Sequence, residues 1–149
     1  MGASELGVLS RTLTYLQPSR PSAGVVAIAY AADNPASRAD AESIAALLRD
    51  GLRVGNAVLR PKLTDTASLA SVPFSVVIAA SGAAGSRLGG IVRDRRGLCV
   101  TADVAAVEAG TCTMAISAAK LVSIVVNHAV SVACGIEFAS AFRMMIREI

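Results

Sequence analysis

Few residues of this chain could do chemistry, and none has the spacing of an active site. His128 is the only histidine, and nucleophilic catalysis needs such a base beside a nucleophile and oriented by a third group. The sequence contains no G-x-S-x-G elbow, and no motif places a serine or cysteine to act with His128. His128 follows Asn127, a residue that can cap a helix, so it reads as a first-turn helix residue. We therefore predict no catalytic residue and expect a protein that is not an enzyme.

The cysteines do not form a metal site either. Cys99, Cys112 and Cys134 are widely spaced, and with one histidine they make no C-x-x-C or H-x-x-x-H set. Three cysteines allow at most one internal disulfide. The strand positions of Cys99 and Cys112 favour burial as small apolar side chains, and the sequence leaves open whether any two of the three are paired.

One short segment could bind an anion through its backbone. Residues 81–86 (SGAAGS) follow a buried strand and open a helix, where N–H groups are available. Close packing of a helix on a sheet also explains these small residues. The chain has neither G-x-G-x-x-G nor G-x-x-x-x-G-K-[ST], so we predict no nucleotide and no other cofactor.

Three polar residues follow predicted elements of a parallel sheet. Ligands in open α/β sheets bind beyond the carboxyl ends of the strands. Asn34, Ser81 and Asp103 would meet at that edge. We predict that they form the rim of a site for a small polar ligand.

Composition sets the class of protein. The 149 residues, of which 54% are hydrophobic and 17% charged, predict one ordered domain spanning residues 1–149. The net charge is only +3, and aromatic residues make up 3% with no tryptophan. The basic residues are dispersed except for Arg93, Arg95 and Arg96, which suit a solvated helix C-terminus. We therefore expect no nucleic-acid partner.

The longest uncharged run does not resemble a membrane span. Residues 66–86 number 21, enough to cross a bilayer. The run contains Pro73, Gly82, Gly85 and six hydroxyl residues, and its period changes midway. We expect a strand with flanking turns there, in a protein that does not itself span a membrane.

Apolar spacing predicts alternating strands and helices in the first two-thirds of the chain. Leucines at 6, 9, 13 and 16 indicate an opening helix that Pro18 and Pro21 end. Continuous apolar runs at 25–30 and 74–80 are typical of strands buried on both faces. Between and after them we predict the following elements: a helix at 37–50 with Ser37 and Asp40 in capping positions, a weak strand at 57–62 that Pro61 places at an edge or strand end, and a helix at 82–93.

The last third continues the alternation and then reverses direction. A strand at 98–101 precedes a short helix capped by Asp103. Only three residues separate the runs 112–117 and 121–126, too few for a helical crossover, so these runs form an antiparallel hairpin. Asn127 caps the next helix. The stripe Phe142, Met145, Ile146 and Ile149 predicts that the chain ends as a helix.

These elements define the expected fold class. We predict a three-layer α/β sandwich with a mostly parallel sheet of about six strands, an antiparallel C-terminal hairpin, and helices on both faces.

The order of the elements resembles the YfiR/HmsC-like family of small periplasmic regulators over nearly the whole chain. The segments that carry the likeness are LVSIVVN at 121–127, GIEFAS at 135–140 with FRMM at 142–145, FSVVIAAS at 74–81, LCVTAD at 98–103 with EAG at 108–110, and YLQP at 15–18. The tryptophan that the family places before the proline is missing. The family's disulfides have no clear counterparts here and are not carried over.

This resemblance implies a non-enzymatic regulator in the periplasm, exported by a leader that the sequence lacks. Such a protein would repress an inner-membrane diguanylate cyclase by binding its periplasmic part, which limits cyclic-di-GMP signalling and biofilm formation, and it would form a homodimer. The alternative is a small-ligand-binding α/β module related to half of a periplasmic binding protein, with the rim at Asn34, Ser81 and Asp103 as its receptor site.

Overall fold

The computed structural model describes residues 1–17, 24–118 and 120–149 as a mixed α/β structure. Pro18 and Pro21, predicted to end the first helix, lie outside the described residues. The helices are α1 (Ala3–Thr12), α2 (Pro35–Leu47), α3 (Ser86–Arg95), α4 (Val104–Glu108), α5 (His128–Ala133) and α6 (Ser140–Arg143). The strands are β1 (Leu16–Gln17), β2 (Val25–Tyr30), β3 (Leu52–Val54), β4 (Ala57–Asp65), β5 (Val76–Ala79), β6 (Leu98–Thr101), β7 (Met114–Ser117), β8 (Ser123–Val126), β9 (Glu137–Phe138) and β10 (Arg147–Glu148).

The main sheet has eight strands rather than the predicted six or so. Their order is β10-β8-β7-β6-β5-β2-β4-β3, and a separate pair joins β1 to β9. Within the main sheet β7/β8 and β3/β4 are antiparallel, and all other neighbours are parallel. The mostly parallel sheet and the β7–β8 hairpin are confirmed. The predicted number of strands was too low because β3 and β10, the two edge strands, are short.

The direction in which the chain adds strands to the sheet reverses between β2 and β5. From β2 the chain passes through α2 to β4 on one side, whereas from β5 it passes through α3 and α4 to β6 and β7 on the other. Right-handed crossovers that run in opposite directions place their helices on opposite faces. The carboxyl ends of β2 and β5 therefore mark the point where the loops diverge.

The core lies on both sides of the central strands. Ala27 and Ile28 of β2 and Val77 and Ile78 of β5 are completely buried, as their continuous apolar runs predict. Among the described residues no helix has both the length and the apolar character needed to cross a bilayer.

Side-chain caps begin three of the helices, α2, α4 and α5, and one of these caps differs from expectation. Asp103 and Asn127 cap α4 and α5 as predicted, by accepting from the N–H groups of Ala105 and Val130. Asn34, instead of Ser37 or Asp40, caps α2. With Pro35 at the first helical position, α2 begins two residues earlier than predicted.

Pro61 does not lie on an edge strand. It is in β4, which pairs with β2 on one side and β3 on the other. The Arg60 N–H donates to Gly24 O on the β2 side, so the position where Pro61 lacks an N–H faces away from β2. The pairing with β3 has already ended there, at Leu59. The proline therefore sits where no neighbour requires its donor.

The prediction of a C-terminal helix was wrong. Only the four residues of α6 are helical, and the chain then forms β10, parallel to β8. Phe142 is buried, whereas Met145 is largely exposed. The Ile149 N–H donates to Val126 O, and Ile149 O accepts from the His128 N–H. Pairing with the sheet therefore prevails over the helical spacing of the apolar residues.

Two of the cysteines are joined. Cys99 in β6 and Cys112, just before β7, form a buried disulfide. Their burial matches expectation, and the pairing that the sequence left open is now assigned. Cys134 has a buried thiol outside this bond.

Candidate functional site

A cleft of about 550 Å³ opens at the carboxyl ends of β5 and β6. It is lined by Met1, Asp40, Ala79, Ala80, Ser81, Gly82, Ala84, Thr101, Ala102 and Asp103. We call this the carboxyl-edge cleft. Two of the three predicted rim residues, Ser81 and Asp103, line it, and Asn34 does not.

The turn after β5 positions Ser81. Ala80 N–H donates to Ala29 O of β2, which extends the strand pairing by one residue. The chain then turns at Gly82, whose φ of +78° is in the left-handed region. The Ser81 N–H donates to Asp40 Oδ2 at 2.8 Å, so α2 holds this turn from the side.

Asp40 is a site residue that the sequence did not identify as one. It was predicted as a cap of α2, but it lies inside the helix and faces the cleft. One turn earlier on that helix, Ser37 is buried and accepts from Ala31 N–H. The spacing of three residues puts Asp40 on the same face of α2 as Ser37, a signal for its side of the helix but not for its contact with Ser81.

Asn34 lies next to the turn that carries Ser81, outside the lining of the cleft. Its Oδ1 accepts from the N–H groups of Ala36 and Ser37 at 3.1 and 3.3 Å. A Cβ on Gly82 would lie 3.0 Å from Asn34 Nδ2, so the two residues are close neighbours. The structure thus makes Asn34 a cap of α2 beside the turn, and not part of the lining.

The loop after β6 forms the opposite wall. Asp103 is exposed and accepts from Ala105 N–H at 3.0 Å as the cap of α4. Its own N–H donates to Thr101 Oγ1 at 3.1 Å. Thr101 is buried and was not predicted as a site residue, since it reads as the last residue of an apolar strand.

The polar groups of the cleft are mainly hydrogen-bond acceptors. Its side chains include the carboxylates of Asp40 and Asp103 and the hydroxyls of Ser81 and Thr101, and its described lining includes no lysine or arginine. The Met1 amino group lies 3.8 Å from Asp40 Oδ1. The remaining wall is mostly alanine, which leaves room for a small ligand. Within the described parts of the chain, no group of three or more His, Cys, Asp and Glu residues could hold a metal ion.

His128 lies elsewhere. Its Nδ1 is 3.6 Å from Glu148 Oε2, and Arg143 Nε contacts the other oxygen of that carboxylate at 3.4 Å. These three side chains line a different surface depression, between α5 and the C-terminal segment. His128 is therefore placed to hold β10 rather than to act in the carboxyl-edge cleft.

Comparison with known proteins identifies a similar fold. No protein-family model matches the chain, and no curated protein matches it significantly. A solved structure, an ABC domain in complex with L-Trp from Streptococcus pneumonia, is similar with a TM-score of 0.65 over 98% of this chain, at 11% sequence identity. The chain spans 59% of the length of that protein. At this identity the likeness concerns the fold alone.

Proposed function

We propose that this chain is a ligand-binding α/β domain that takes a small polar molecule in the carboxyl-edge cleft. The observation that carries the proposal is the position of the cleft beside the point where the loops of a parallel sheet diverge, which is where open α/β folds bind ligands. Its volume of about 550 Å³ lies within the ordinary range of small-molecule pockets.

The similar solved structure supports this proposal. That protein holds a small molecule, L-Trp, and nearly the whole of the present chain superimposes on part of it. The present chain corresponds to little more than half of that protein. Binding by this chain on its own is therefore part of the proposal.

The lining restricts the chemistry of the ligand. Asp40 and Asp103 present carboxylate oxygens, so a ligand with N–H or O–H donors is favoured over a purely anionic one. The Ser81 hydroxyl can donate or accept. The alanine walls offer little area for aromatic stacking, so recognition rests on a few hydrogen bonds.

A thermal-shift screen of amino acids, amines, sugars and carboxylic acids, followed by calorimetry, tests the proposal. We expect a compound rich in hydrogen-bond donors to raise the melting temperature. Asp103→Asn should weaken the affinity for that compound about fivefold, since an exposed charged partner contributes modestly. Asparagine can still cap α4, which keeps the fold intact.

Asp50→Asn, an exposed carboxyl change outside the lining, is the matched control and should leave the affinity unchanged. The proposal fails if no compound shifts the melting temperature, or if both variants bind alike.

We propose a second candidate, the periplasmic regulator that the YfiR/HmsC-like resemblance implies. A buried disulfide between Cys99 and Cys112 supports it, because such bonds persist in oxidising compartments such as the periplasm. Two exposed apolar side chains in the last third of the chain, Leu121 and Met144, also support it, since they suit contact with another copy or a membrane sensor.

Deletion of the gene tests the second candidate. Loss of a cyclase repressor should raise cyclic-di-GMP and biofilm, and the wild-type gene should restore both. A Leu121→Ser/Met144→Ser variant should lower cyclic-di-GMP and biofilm in the deletion strain less than a Leu47→Ser variant does. Leu47→Ser is the control, because it removes an exposed leucine from α2 instead. Unchanged cyclic-di-GMP in the deletion strain would exclude this function.

A further inference from the structure

Another cavity lies apart from the carboxyl-edge cleft. A groove of about 410 Å³ runs between α1, the start of β8 and the C-terminal segment. Its lining residues are Val8, Arg11, Thr12, Tyr15, Val122, Ile124, Phe142 and Met145. We call it the α1–β8 groove. It shares no lining residue with the carboxyl-edge cleft.

The floor of the α1–β8 groove is aromatic and fixed. Phe142 is buried, stacks on Tyr15 with ring centroids 5.1 Å apart, and contacts Phe138 at 5.0 Å. These contacts hold the rings in place without a ligand, so little ordering of the floor is required when one binds.

The walls of the groove leave apolar surface open to solvent. Val122 and Met145 are 60% and 59% exposed, although both line the groove together with the buried Ile124. Thr12 adds no polar character, because its hydroxyl donates to Val8 O at 2.8 Å. A molecule seated between these walls would bury apolar area on both sides.

Among the described residues that line this groove, Arg11 is the only charged one. Among the residues that the structure describes, no carboxylate lies within 4 Å of its guanidinium. A guanidinium presents a planar fork of donors that matches a carboxylate in a bidentate manner. The groove thus combines apolar walls with one unmatched cation at its side.

We propose that the α1–β8 groove binds a small apolar carboxylic acid, with its chain or ring on the Phe142 floor and its carboxylate at Arg11. An apolar pocket with one oriented polar group is the usual composition of a small-molecule site. An amine would meet the Arg11 charge, and a neutral compound would leave the guanidinium without a partner. This inference is independent of the carboxyl-edge cleft.

Titration of ¹⁵N-labelled protein with 3-phenylpropionate, and in parallel with the neutral 3-phenylpropionamide, tests the inference. We expect amide shifts at Val8, Val122 and Met145 with the acid, and binding at least about fivefold weaker with the amide. Arg11→Gln should reduce the affinity for the acid to that for the amide. Arg87→Gln, an exposed arginine of α3 outside the groove, should change neither.

Val122→Glu provides a second test that leaves Arg11 in place. A carboxylate on that exposed wall should repel the acid, with the amide less affected. Equal binding of acid and amide, persistence of acid binding in Arg11→Gln, or no shift at the groove residues overturns the inference. Sedimentation without ligand checks whether a second copy fills the groove, and a dimer that Val122→Glu dissociates also overturns it.

Discussion

At the scale of single residues, the carboxyl-edge cleft depends on one backbone conformation. Gly82 has a φ of +78°, a backbone angle that L-residues with a side chain rarely adopt. A Cβ there would also approach Asn34 Nδ2 to 3.0 Å. The turn thus brings Ser81 to the cleft only because position 82 has no side chain.

Gly82→Ala should therefore destabilise the protein by about 1–2 kcal/mol, the cost of forcing an alanine into the left-handed region. Gly85→Ala is the matched control, because its φ is −116° and an added Cβ would contact nothing within 4 Å. Denaturant unfolding of the two variants measures the difference. Equal stability of the two variants would show that the turn relaxes without cost.

Single residues were predictable from sequence where their role is local. Asp103 and Asn127 cap helices that begin directly after them, so neighbouring residues suffice to identify the role. Asp40 contacts Ser81, 41 positions further along the chain. Such a contact depends on how α2 lies against the end of β5, and periodicity alone carries no information about that.

At the scale of elements, the disulfide fixes one wall of the cleft. Cys99 and Cys112 are 13 residues apart and enclose Thr101, Asp103 and the whole of α4. The bond therefore closes the loop that carries α4 from β6 to β7.

Replacing both cysteines, Cys99→Ala/Cys112→Ala, should lower the free energy of unfolding by about 3 kcal/mol, the chain-entropy value for a loop of this length. Reductant should destabilise the wild type similarly and leave the double variant unchanged. The Cys134→Ala variant loses a buried thiol outside the bond, so reductant should lower its free energy of unfolding as much as that of the wild type. Unfolding curves with and without reductant provide the measurement, and a wild type indifferent to reductant would contradict the prediction.

The long buried strands were predictable, whereas the edges of the sheet were not. β2 and β5 are continuous apolar runs, which identify strands covered on both faces. β3 and β10 have only three and two residues, too short to show a period. For the same reason the stripe from Phe142 to Ile149 suggested a helix, because the pairing of β10 with β8 is a long-range contact.

At the scale of the whole molecule, β10 covers part of an otherwise open sheet edge. Arg147 and Glu148 pair with Val125 and Val126 of β8, and the backbone of Ile149 adds two further hydrogen bonds. Leu121, at 84% exposure, lies just before the uncovered part of β8. An uncovered apolar edge is a template for pairing between chains, so β10 acts as protection against association.

Removal of residues 147–149 should consequently make the protein self-associate. The Arg147→Ser/Glu148→Ser/Ile149→Ser variant is the control, since it loses the same three side chains but keeps the backbone pairing. Both changes remove one positive and one negative side chain, so the difference between them does not arise from net charge. Sedimentation velocity should show larger species, and hydrogen exchange faster exchange at the His128 amide, for the truncated chain alone. Identical behaviour of the two variants would mean that side chains, and not the paired backbone of β10, protect this edge.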